Sequence, residues 1–156
     1  MRLGLIALAA LALVIIGSSD AFESTRQLGD LPSRGRPMLT PAGATLSLVS
    51  FALSTAVYIA LGIALARSLS SERGAVMSGL ATGLAAGLIG GTIRAVAASD
   101  YVGMSVSGFG MGIGFLIAVL VIFVVLSTVA SAAGGAAITW LSFRCARRRR
   151  TPRPPS

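Results

Sequence analysis

Apolar positions in this chain fall in long unbroken blocks, not in the alternating or every-fourth patterns of water-soluble strands and helices. Residues 3–17, 45–66, 75–93 and 108–143 carry no charge, and short polar stretches separate them. A helix needs about 20 consecutive apolar residues to cross a hydrocarbon core of about 30 Å. The blocks therefore predict an all-α, integral membrane helical bundle with four transmembrane helices, over about 3–19, 45–66, 75–98 and 110–143. The first block reads as a retained span. A signal peptide cleaved after Ala21, with Ser19 and Ala21 as the small residues of the site, is the alternative and would leave three spans.

Inside the third block glycine recurs every fourth residue, at Gly79, Gly83, Gly87 and Gly91, beside a second small row of Ser78, Thr82, Ala86 and Gly90. In a water-soluble helix each such glycine would cost about 1 kcal/mol relative to alanine. In lipid the backbone has to satisfy its own hydrogen bonds, so the segment stays helical, and small side chains let a neighbouring helix approach closely. The second block has its own small row, Ala52, Ala56, Ala60 and Ala64. The connection at 68–74 is short, and short connections make antiparallel neighbours. The alanine row is thus expected to lie against the glycine row. Ser127, Ser131, Gly135 and Thr139 form a third row, expected to face the bundle, and the mid-span hydroxyl of Tyr58 calls for an interhelical partner.

The last block is too long for a simple crossing. As one straight helix 108–143 would reach about 54 Å, so tilt or a bend has to absorb the excess, with Trp140 at the interface. Gly108, Gly110, Gly112 and Gly114 mark an irregular or tightly packed helix entrance. They do not make a phosphate loop, which needs that pattern between a strand and a helix.

Polar segments set the topology. Residues 18–44 read as an irregular external connector, with a short interfacial helix near 22–28 as the alternative, and 100–108 as a short external loop. Arg94 falls near the membrane boundary, where its long stem can snorkel and Asp100 is the nearby partner. An ion- or substrate-guiding role is the functional alternative. Residues 1–143 form a single membrane-embedded domain, followed by a basic, proline-rich, disordered tail at 144–156. Arg144, Arg147, Arg148, Arg149 and Arg150 are expected to hold that tail in the cytoplasm and to attract anionic lipid, at about 1 kcal/mol per arginine. With Arg2, Arg67, Arg73 and Arg153 they outnumber the external Arg26, Arg34, Arg36 and Arg94.

Composition narrows the chemistry. Charged residues are 12% of the chain, against about a quarter in soluble domains, so no separate soluble domain fits. All 13 basic residues are arginine, and lysine, asparagine and histidine do not occur. That bias matches GC-rich coding and a bacterial origin. One cysteine and no histidine leave few ligands for a transition metal. The five carboxylates lie outside the apolar blocks, leaving the span serines and threonines without a base. The chain is expected to be no enzyme and to hold no cofactor or metal, and nucleic acid is not an expected partner. Two readings remain: a structural or accessory membrane component that oligomerises or joins a larger membrane complex, and a small pore-forming, holin-like protein or transporter subunit.

Overall fold

The computed structural model describes residues 2–29, 41–68 and 71–149. They form four helices: α1 (Arg2–Gly29), α2 (Pro41–Ser68), α3 (Glu72–Gly108) and α4 (Ile113–Arg148). Together they make an all-α bundle, and each helix is long and apolar enough to cross a membrane. Around the bundle the order is α1, α2, α4, α3. The α3–α4 pairing is the most extensive; α2 and α3, consecutive in the chain, touch only slightly, and α1 and α4 lie across the bundle from each other.

The glycine row of α3 meets α4. A methyl built on Gly79 would lie 2.6 Å from the Gly135 carbonyl oxygen and 2.8 Å from Thr139 Cβ, and one on Gly87 would lie 2.7 Å from Thr128 Cα. At Gly83 the backbone of Ser131 occupies the same space. The seam loosens toward the hairpin tip, where a methyl on Gly91 would stand 3.3 Å from Ser127 Cβ and one on Gly103 3.7 Å from Leu116 Cδ2. The row of Ser127, Ser131, Gly135 and Thr139 thus faces the bundle as its spacing suggests.

The alanine row does not meet the glycines. Ala52, Ala56 and Ala60 are exposed and Ala64 is half-buried. Instead α2 turns Tyr58, Leu61, Gly62 and Leu65 inward. Gly62 admits α4, since a methyl there would lie 2.6 Å from the Thr139 carbonyl oxygen. Bulky side chains beside one glycine fill a core with many dispersion contacts, whereas an alanine row offers few and loses little by facing outward.

Helix ends also depart from the sequence expectation. Residues 18–29, read as connector, continue α1, since no glycine or proline stands between Gly17 and Gly29. Ser18 and Ser19 donate back to the carbonyls of Val14 (2.7 Å) and Ile15 (2.9 Å). Residues 100–108, read as a loop, continue α3 to Gly108. The turn then closes on Gly110 at φ 69°, with Gly110 N–H donating to Ser107 O (3.0 Å) and Met111 N–H to Val106 O (3.1 Å). This is the six-to-one, five-to-two pattern of a helix ended by a left-handed glycine. At the other extreme α4 continues through Arg148, so the tail begins as helix; cations there face the negative end of the helix dipole. Residues 41–44, also read as connector, begin α2; the rest, 30–40, and the tail at 150–156 with Arg150 lie outside the described residues.

Two buried clusters tie the bundle together. Phe143, Leu61, Leu65, Ala66, Ala75 and Ala9 form one; Leu13, Tyr58 and Ala86 form the other. Ala9 and Leu13 bring α1 into both.

Candidate functional site

Polar side chains gather at two levels of the bundle. At the first, Trp140 Nε1 donates to Glu72 Oε2 (3.0 Å), and the Arg144 guanidinium lies 5.4 Å from the centre of the Trp140 ring. One turn on, Arg147 lies 5.6 Å from the Phe143 ring. Trp140, Arg144 and Arg147 thus share one helix end, as an interfacial aromatic followed by cations should. Arg148 closes α4, with Arg149 as its C-cap. Glu72 and Arg94 stand about 33 Å apart along α3 at 1.5 Å per residue, close to the thickness of a hydrocarbon core.

At the second level Arg94 Nη2 donates to Asp20 Oδ2 (2.6 Å), and Ser47 Oγ donates to Asp20 Oδ1 (2.9 Å). Three helices meet on one carboxylate. The Asp20 side chain is 15% exposed and that of Arg94 37%, so the anion lies behind the cation. Asp100, the partner suggested by proximity in the chain, is exposed on α3. Six residues along an intact helix put two side chains on different faces. The sequence held a signal for the true pair: Asp20 and Arg94 each follow an apolar block, in spans that run the same way through the bundle.

Between the two levels lies a cavity of about 590 Å³ bounded by all four helices. Among the described residues Arg94 is the only charged one in its wall, where Ser54, Ser127 and Ser131 add hydroxyls and Leu13, Phe123 and Leu126 apolar surface. Gly90 also lines it, and a methyl built there would meet nothing within 4 Å. Its floor is Tyr58, whose hydroxyl lies 3.3 Å from Ser131 Oγ, the interhelical partner expected of it. Below, fully buried Phe143 and Leu65 close the core. The cavity is therefore blind toward the Trp140 level. It opens to the side, because Leu126, part of its wall, is 64% exposed on the outer face of α4.

No described residues gather three or more carboxylate, cysteine or histidine groups to hold a metal, and Cys145 is exposed. What the arrangement can do is bind: a fixed guanidinium and several hydroxyls stand over an apolar wall.

Fold and site define a small multi-pass α-helical bundle with a blind, arginine-headed cavity. No family model matches the chain, and no curated protein or solved structure is similar to it.

Proposed function

We propose that this chain is a non-catalytic structural or accessory component of a bacterial inner membrane, self-assembling through its α3–α4 hairpin, with the arginine end in the cytoplasm. Its α3–α4 seam serves as a glycine zipper within the chain, making the hairpin a stiff unit. The observation that carries the reading is the hairpin's reach. Beyond Arg94, α3 continues for about 21 Å, and this arm exposes Met104, Phe109, Ile113 and Phe115. A bilayer core of about 30 Å is already filled between Glu72 and Arg94. Apolar surface past that level calls for a protein cover. The same arm on a second copy supplies a largely apolar face at the same height, with Asp100 at its edge, and a two-fold contact between identical patches closes on itself.

A photoreactive phenylalanine analogue at Phe109 or Ile113, in the full chain in membranes, tests this. A cross-linked band at twice the monomer mass is expected. Adducts to lipid alone, or to a different protein, would overturn self-assembly. The orientation is tested by a reporter fused after Ser156 that is active only in the cytoplasm; an inactive fusion present in the membrane at normal level would reverse it. Retention of α1 is favoured by Ala9 and Leu13 in the core and by the Asp20–Arg94 pair. The pore reading has less support, because the cavity within one chain ends at Tyr58. Dye release on expression would restore it.

A further inference from the structure

We infer that the blind cavity is a binding site for an anionic membrane lipid, with the headgroup phosphate on Arg94 and one acyl chain along Phe123 and Leu126. It rests on the four helices crossing a bilayer and not on self-assembly of the arm. Three features of the cavity lead there.

The first is the arginine. A guanidinium has five N–H donors in a planar fork that matches phosphate oxygens. Among the described residues Arg94 gives one bond, to Asp20 Oδ2, and it is the more exposed partner of the pair. Asp20, itself held by Ser47, fixes the fork in place and leaves donors toward the cavity. A fixed fork loses less entropy on binding than a free arginine would.

The second is depth. Arg94 lies about 33 Å along α3 from Glu72, the distance between the two headgroup layers of a bilayer with a core of about 30 Å. A phosphate at that height belongs to a lipid.

The third is the opening. The α4 wall runs from inside the cavity to the outer surface through Phe123 and Leu126, both exposed. On the facing edge of α2, Ser54 lines the cavity and Phe51 is exposed. A chain can leave between α2 and α4 into the surrounding lipid while its headgroup stays inside. A volume of about 590 Å³ falls within the range of about 300–1,000 Å³ for small-molecule sites, enough for a headgroup and the upper part of one chain.

The test uses the full chain, purified in uncharged detergent and titrated with phosphatidylglycerol, phosphatidylcholine of the same chains, or glycerol phosphate, with bound lipid counted by native mass spectrometry. To remove the tail's contribution, every protein carries glutamine at Arg144, Arg147, Arg148, Arg149 and Arg150. One equivalent of phosphatidylglycerol is expected, at least ten-fold tighter than phosphatidylcholine. Gly90→Leu, which grows into open space, should weaken binding at least ten-fold by filling the cavity. Arg94→Gln should abolish the preference. If Arg94→Gln fails to fold, Gly90→Leu decides alone. Equal retention of the two lipids, or wild-type binding by Gly90→Leu, would overturn the site. Binding of glycerol phosphate as tight as that of the lipid would overturn its assignment to a membrane ligand. None of these readouts depends on the cross-link that tests self-assembly.

Discussion

Gly108 and Gly110 stand two residues apart under opposite demands. Gly110 sits at φ 69°, where a Cβ costs about 1–2 kcal/mol. Gly108 is the last helical residue of α3, with open space where a Cβ would go. Gly110→Ala is therefore expected to destabilise the protein by about 1 kcal/mol or more. Gly108→Ala should be neutral or stabilising by up to about 1 kcal/mol. Unfolding of both variants in mixed micelles separates them, and equal effects would count against the left-handed turn. Thr139 makes a second contrast. Its hydroxyl is fully buried with no partner among the described residues, wedged against Gly79. Thr139→Val keeps the shape and removes the unmet polar group, so the same measurement should show a gain of about 1 kcal/mol. A loss would mean that the hydroxyl has a partner.

Among the elements, the α3–α4 hairpin packs more extensively than any other pair, and its seam is graded. Backbone meets backbone at Gly79 and Gly83, whereas the nearest neighbour of Gly91 is the side chain of Ser127, with Val124 Cα at an ordinary contact distance of 3.6 Å. Overfilling a packed site costs about 1–3 kcal/mol, and more where nothing can move aside. Gly83→Ile is expected to cost about 3 kcal/mol or more, while Gly91→Ala should cost under about 1 kcal/mol because a serine side chain can shift. Resistance to unfolding by sodium dodecyl sulfate ranks the two; a tolerant Gly83 would sink the seam. The repeat at Gly79, Gly83, Gly87 and Gly91 was plain in the sequence, but its partner was not. Ala52–Ala64 and Ser127–Thr139 are both small rows at helical spacing. Gly62 and Tyr58 decided between them: one lets α4 reach α2, the other fills the space beside it.

For the molecule as a whole, Asp20 and Arg94 join α1 to α3 across 74 residues of chain. Exposed ion pairs contribute about 0–1 kcal/mol, and breaking a fully buried pair costs about 3–5 kcal/mol. With Arg94 more than a third exposed, Asp20→Asn is expected to cost about 1 kcal/mol, toward the exposed limit. A double-mutant cycle with Arg94→Gln should return a coupling of about 0.5–1 kcal/mol. Zero coupling would mean that the ion pair does not help to hold α1 to α3. Along the chain the pair shows only as two charges that end spans running the same way, and the cavity does not show at all, since each is built from helices distant in sequence.

The sequence by itself determined the number of helices and their length scale. Long uncharged blocks have few other stable forms where no water can satisfy the backbone. It also marked the faces that could pack, because small residues at every fourth position lie in one row on any helix. Tertiary structure alone decided which rows meet, that Arg94 pairs with Asp20 and not Asp100, and that a cavity remains between the two polar levels. Helical periodicity places a residue on its own helix but says nothing of which neighbour has the complementary volume or charge. That choice is made only when all four helices pack at once.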